Sequence, residues 1–242
     1  DHASTTPTRL EVVEAMRPYY QEIYGNPSSI HMFGQKAKRA LESSRQTVAG
    51  LLGAEPKEIY FTSGGTEGDN LAIKGAARAN RGRGRRLITS QIEHHAVLHA
   101  MQALEEEGFE VTYLPVDRHG LVEVSALEAS LRDDTILISV MLVNNEVGTI
   151  QPLREIVEIA RPRGVLVHTD AVQAAGKVPL NVADLGVDLL TLTAHKFHGP
   201  RGAGVLFVRE GTPIAPLLHG GHQERILRPG TENLPGIVGL AA

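Results

Sequence analysis

Seven short apolar runs alternate with stretches of helical periodicity, and that alternation limits this chain to an α/β architecture. The runs are Glu58–Thr62, Arg86–Ser90, Glu110–Leu114, Ile136–Val140, Val165–Thr169, Leu189–Thr193 and Gly204–Val208. Ile136-Leu137-Ile138-Ser139-Val140 and Val165-Leu166-Val167 are continuous rather than alternating, the pattern of strands covered on both faces. The spacing of apolar residues predicts helices over Arg9–Gln21, Gly34–Leu52, Gly65–Ala79, Ala96–Glu107 and Leu153–Arg161, with Gly53 placed to end the second. The expected fold is therefore a mostly parallel, seven-stranded sheet flanked by helices. Open parallel sheets bind ligands beyond the carboxyl ends of their strands, so chemistry is sought just after each run.

Composition narrows the choice further. Hydrophobic residues at 42% can fill a sizeable core, and a formal net charge of -4 argues against a general nucleic-acid binder. With no cysteine, the chain has no disulfide, no thiolate metal ligand and no thiol nucleophile of its own. No apolar run approaches the roughly 18 residues of a membrane-spanning helix. The sequence opens on Asp1 and stops at Leu240-Ala241-Ala242 without a helix-stop signal, so it is expected to be a piece of a longer protein. The basic, glycine-rich Asn80–Arg86 reads as a solvated connector, with contact to RNA as the other reading.

Five segments after the runs carry candidate chemistry. Ser63-Gly64-Gly65-Thr66-Glu67 joins a strand to a helix; its glycines permit close backbone approach and the helix start attracts phosphate, though a capped turn would look the same. It is not a Walker loop, because no Gly-Lys-Ser/Thr follows. Glu93-His94-His95 offers an imidazole at a strand end that can stack on a flat ligand or simply start a helix. Asn144-Asn145-Glu146-Val147-Gly148 supplies directional hydrogen bonds or an Asx-turn. Asp170, after a very apolar strand and before Ala171-Val172-Gln173, is expensive to bury without a cation opposite it, unless it caps a helix. Lys196 stands between His195 and His198, and desolvation beside positive charge makes a lysine amine nucleophilic. A metal reading of His195 and His198 lacks a convincing third ligand, although His219 and His222 lie downstream.

Together these features fit one ligand with a phosphate, a flat ring, a protonated ring nitrogen, a ring hydroxyl and a carbonyl that condenses with lysine. Pyridoxal 5'-phosphate (PLP) has all five groups. Asp170 and Lys196 are 26 residues apart, one strand–helix–strand unit, which puts both at the same edge of the sheet.

At this point the sequence closely resembles the cysteine desulfurases of the class V aminotransferase family, enzymes built on the fold type I PLP-dependent transferase large domain. The matching segments run through the whole chain: Ala3-Ser4-Thr5-Thr6-Pro7, Gly25-Asn26-Pro27-Ser28-Ser29, Thr62–Glu67, Glu93-His94, Asn144–Gly148, His168–Gln173, Ala194-His195-Lys196, Gly199-Pro200 and Arg228-Pro229-Gly230-Thr231-Glu232-Asn233. The last run looks like the branch serving iron–sulfur cluster assembly. The resemblance implies that Lys196 holds PLP as a Schiff base and removes the substrate's α-proton. It implies that Asp170 pairs with the ring nitrogen, that Gln173 bonds the ring hydroxyl, and that His94 stacks on the ring and assists proton transfer. It further assigns Gly65, Thr66, Thr193 and His195 to the phosphate and Asn145 to the substrate carboxylate or cofactor edge. Thr231 would reach the phosphate of a partner subunit's cofactor, which implies a homodimer, and the protein is expected in the cytoplasm. The reaction would take L-cysteine to L-alanine and hand sulfur as a persulfide to a scaffold or other acceptor protein, with no metal, nucleic acid or membrane involved.

Two departures stand out. The family's nucleophilic cysteine and carboxylate-binding arginine lie beyond Thr231 in a region this sequence does not contain, and His222 stands where the family usually has a third glycine. The expected organisation is an N-terminal segment over residues 1–12 and a PLP-binding large domain over residues 13–242, without the small C-terminal domain. Such a chain would bind PLP yet form no persulfide. A selenocysteine lyase, another class V aminotransferase, a non-catalytic PLP-fold interaction subunit and a histidine-dependent metal hydrolase remain as alternative readings.

Overall fold

Strands form where the sequence has its apolar runs. The structure, a computed structural model, describes residues 1–242. Its strands are β1 (Ile59–Thr62), β2 (Arg86–Ser90), β3 (Glu110–Leu114), β4 (Thr135–Ser139), β5 (Leu166–Asp170), β6 (Leu189–Thr193) and β7 (Gly204–Val208). They make one sheet in the order β1-β7-β6-β5-β4-β2-β3, parallel throughout except for β7, which runs antiparallel to both neighbours. The runs expected at Ile136–Val140 and Val165–Thr169 each shift by one residue, so that Asp170 is the last residue of its strand rather than the first after it.

The helices are α1 (Leu10–Met16), α2 (Pro18–Gln21), α3 (Met32–Leu52), α4 (Gly65–Ala79), α5 (His95–Glu106), α6 (Val124–Ser130), α7 (Leu153–Ala160), α8 (Val182–Leu185) and α9 (Leu234–Ala241). The single helix expected over Arg9–Gln21 is two, because Pro18 has no N–H to continue the ladder and starts a new short turn instead. Gly53 ends α3 in the left-handed conformation, φ +66°, as anticipated. Helices α6, α8 and α9 were not anticipated. Two are too short for a periodic signal, and α9 is apolar nearly all round, which hides its period.

Both faces of the sheet are covered. Leu71, Ile73, Ala76, Val97, Met101 and Leu104 of α4 and α5 pack on Leu87, Leu137, Leu189 and Leu206. Ala37, Leu41, Val48, Ile156, Val157 and Ile237 of α3, α7 and α9 pack on Ile88, Ile138, Val167, Leu190, Val205 and Phe207. Neighbours in one strand alternate between these layers, which is why the central runs are apolar without a break. At Gly68 a Cβ would come within 2.6 Å of the Thr191 methyl, so α4 lies almost in contact with β6. That approach brings the start of α4 to the carboxyl ends of β5 and β6.

Candidate active site

The carboxyl ends of β1, β2, β4, β5 and β6 open onto one cavity of about 670 Å³, a volume in the range of cofactor sites. Every expected site residue except Thr231 lines it: Gly65, Thr66, His94, Asn145, Asp170, Gln173, Thr193, His195 and Lys196. Thr231 is exposed and does not line the cavity; its segment is tied to the start of α4 by Arg228, whose guanidinium donates to Glu67 Oε1 at 2.6 Å. Glu67 in turn accepts from the Ser63 backbone N–H at 2.9 Å, which fixes the turn ahead of Gly65 and Thr66.

Asp170 is buried at the end of β5, where Oδ1 accepts from the Val172 N–H at 2.8 Å. Burial pushes its carboxyl up to about 6, against the lowering pull of that N–H and of the Lys196 charge. Lys196 follows β6 in a short 3-10 turn, Ala194–Lys196. Burial first, then the neighbouring Lys177, holds its amine below the ordinary lysine value, while Asp170 pulls the other way. The Lys196 amine donates to the Ala3 carbonyl, and Gln173 Nε2 donates to the same oxygen at 2.7 Å. The N-terminal strap is held there by Thr6, whose N–H and hydroxyl both donate to the His195 carbonyl at 2.9 Å.

His94 caps α5. Its Nδ1 accepts from the Ala96 N–H at 3.1 Å, which leaves Nε2 as the nitrogen that carries the proton of the neutral ring. Burial, then His95 and Lys196, lowers its pKa, so the neutral form is favoured. Asn144 is buried and structural: Oδ1 accepts from the Glu146 and Val147 N–H groups, while Asn145 reaches the cavity. His198 Nδ1 lies 3.1 Å from the Pro7 carbonyl, and neither His198 nor His195 belongs to a cluster of three groups close enough to share a metal ion.

Sequence reasoning missed Asp69, Met141 and Ala3 as parts of the wall. A signal existed for Asp69, which takes the first place in the buried stripe Asp69, Ala72, Ile73 and Ala76, where a core helix ordinarily has an apolar residue. Nothing local marks the Ala3 carbonyl, because backbone acceptors are common to every residue.

The family model for aminotransferase class-V matches residues 1–242. The chain belongs to the class-V aminotransferase family. Among curated relatives of this family, "Cysteine desulfurase IscS" of Methanosarcina thermophila is 60% identical over 240 residues, covering 99% of this chain and 59% of that protein. "Cysteine desulfurase IscS" of Dictyoglomus turgidum is 55% identical, covering 99% and 61%. The chain thus spans about 60% of the length of these relatives. A solved "NifS-like protein" superposes with a TM-score of 0.98 at 48% identity, over 100% of this chain and 67% of that one. A second structure, "SspA in complex with cysteine", does so with a TM-score of 0.96 at 43% identity, over 100% and 70%. Class-V aminotransferases are PLP-dependent enzymes.

The residues of this cavity fit that cofactor. A buried carboxyl with one oxygen left toward the cavity suits a protonated ring nitrogen, and a partly desolvated lysine on the same wall suits an aldehyde. The first turn of the 15-residue α4, with N–H groups that have no acceptor within the helix, suits a phosphate.

Proposed function

We propose that the protein is a cysteine desulfurase, which takes L-cysteine to L-alanine and delivers sulfur as a persulfide for iron–sulfur cluster assembly. The observation that carries this reading is the convergence of Lys196 and Asp170 on one cavity, in a chain 60% identical to a relative named cysteine desulfurase. A non-catalytic interaction subunit would need neither group. Lys196 would hold the PLP aldehyde, Asp170 the ring nitrogen, Gln173 the ring hydroxyl and His94 the ring face. Gly65, Thr66, Thr193 and His195 would hold the phosphate. Bound there, PLP supplies an electron sink for the pair left behind when the substrate's α-proton departs.

The protein's own contribution is proton management and orientation. A lysine amine whose charged form is disfavoured has a larger neutral fraction, and the neutral amine is the form that accepts a proton from the substrate Cα. His94 keeps Nδ1 engaged with the Ala96 N–H, so Nε2 is the nitrogen available to pass a proton at the substrate. Asn145, at the cavity wall, is positioned to donate to a substrate carboxylate once it releases Glu146, its present partner at 2.6 Å. These 242 residues hold no cysteine, so the thiolate that takes the sulfur must be supplied from outside them. We further propose a cytoplasmic homodimer in which Thr231 of one copy serves the other's phosphate, and an acceptor protein that takes the sulfur. Thr231 is exposed and absent from the lining of its own cavity, which supports that role.

The test is the visible absorption of the purified chain after incubation with PLP. A visible band is expected that shifts on adding L-cysteine and is absent in Lys196→Ala. A band of equal strength in Lys196→Ala would refute the assignment of the lysine, and no band in either would refute the cofactor.

A further inference from the structure

Asp69 is a buried acid of the cavity wall whose chemistry the proposed reaction does not use. It is 1% exposed, and its Oδ1 is buried with no hydrogen-bond partner. An ionised carboxylate has two oxygens to satisfy, and leaving one bare in a dry interior is costly. His168 Nε2 on β5 is 3.7 Å from that oxygen, outside hydrogen-bond reach. His168 brings no positive charge. Its Nδ1 lies 2.8 Å from the Ser139 hydroxyl and its Nε2 3.0 Å from the Thr191 hydroxyl, and burial lowers its pKa to about 3.

A second carboxyl shares the space. Oxygens of Asp69 and Asp170 and a ring nitrogen of His94 lie within 4.8 Å of one another. Two buried carboxyls this close do not both ionise. The groups around them decide which keeps the proton. Asp170 has the Val172 N–H and faces Lys196, and both favour its charged form. Asp69 has the Asp170 charge, then Glu93, raising its pKa on top of burial, and only the Thr191 hydroxyl opposing them. Glu93 itself accepts from Ser90 Oγ and the Met141 N–H.

We propose that Asp69 is a positioning residue for Asp170: a second acid that carries a proton in the folded protein and leaves Asp170 the single negative charge at this end of the cavity. The proposal deepens the PLP reading and rests on it for its purpose. One cationic ring nitrogen is matched by one carboxylate rather than two. Asp69 thus acts through the charge of Asp170.

The test uses the purified chain without cofactor. Its infrared spectrum near neutral pH is expected to contain a protonated-carboxyl carbonyl stretch, part of which disappears in Asp69→Asn and a separate part in Glu93→Gln. Loss of Asp69's part in Asp170→Asn, with no change in Asp69→Asn, would overturn the proposal by giving the proton to the wrong residue. Urea unfolding against pH supplies a second readout that a purely structural role would not move. A carboxyl that holds its proton more tightly when folded loses stability as pH rises above its unfolded value. The ratio of folding constants, Asp69→Asn over wild type, is therefore expected to climb by up to about tenfold per pH unit above roughly pH 4. A flat ratio above that pH would refute it. Asp69→Ser provides the same comparison if the amide variant does not fold. Failure of the PLP band with these results intact would sink the cofactor reading and leave the proton on Asp69 standing.

Discussion

Replacing Glu224 by alanine should damage this protein more than the replacement of almost any other charged residue, and the cost can be worked out from its contacts. Arg45 of α3 and Glu224 form an ion pair with side chains 3% and 1% exposed. Glu224 Oε1 accepts from Arg45 Nη2 at 2.6 Å, and Oε2 accepts from Arg45 Nη1 at 2.9 Å and from the Phe61 N–H at 2.7 Å. The pair also restrains an uncommon backbone. Glu224, Arg225 and Ile226 have φ of 43°, 55° and 73°, a left-handed turn that costs L-residues about 1–2 kcal/mol each. Arg225 helps by donating to the Ile59 carbonyl at 2.5 Å and lying over the Tyr60 ring. Glu224→Ala leaves the buried guanidinium with only the half-exposed Glu42, 3.3 Å from Nε, as counter-ion, and the Phe61 N–H without an acceptor. Breaking a buried pair from one side costs about 3–5 kcal/mol, equivalent to a drop in Tm on the order of 10 °C for a domain of this size. Equilibrium urea unfolding followed by circular dichroism reads the loss as a lower midpoint at unchanged slope. Glu224→Gln should fall between, and the double replacement Arg45→Met with Glu224→Leu should recover part of the loss, because it removes both charges together. A loss under about 1 kcal/mol for Glu224→Ala, or a double variant no more stable than the single one, would refute this account of the turn.

The remaining predictions concern pH, packing and sulfur. Burial pushes Glu93 up to about 8, against Ser90 and the Met141 N–H. Its contribution to stability is therefore full at acid pH and is lost as pH rises from its unfolded value through about 8; Glu93→Gln should flatten that decline in pH-dependent urea unfolding. Gly68→Ala would press a methyl to 2.6 Å from Thr191 Cγ2 and should cost about 1–3 kcal/mol in the same assay, with no loss pointing to a looser α4–β6 contact. Mass spectrometry of the PLP-loaded chain after L-cysteine should show no protein-bound persulfide, since the sequence has no thiol to hold one. A persulfide adduct on this chain would contradict the chemistry assigned to it.

Much of the fold and of the site could be read from residues in order. Strands β2, β3, β6 and β7 and helix α4 have the bounds their patterns predicted, because each is a local run of one periodicity long enough to register. Lys196, Asp170 and His94 stood out because a charged or ring residue directly after a buried strand is rare and costly. The missed pieces have a different character. Helices α6 and α8 are held by tertiary packing more than by propensity, and Pro18 split a helix whose apolar spacing ran on across it. Asp69 sat in plain view on α4, yet its meaning depends on a partner, Asp170, that is 101 residues away, 170 - 69, along the chain.

By itself, then, the sequence determined the α/β architecture and the identity of the groups offered at the strand ends, since both follow from side-chain periodicity and from the cost of burying charge. Only the tertiary structure decided which groups face one another. It joined the Ala3 carbonyl to Lys196 and Gln173 across separations of 193 and 170 residues, and Arg45 to Glu224 across 179. It also put Asp69 beside Asp170, which makes one of two chemically identical carboxyls an acid and leaves the other charged. Protonation state depends on burial and on charges within a few ångströms, and neither quantity exists until the chain has folded.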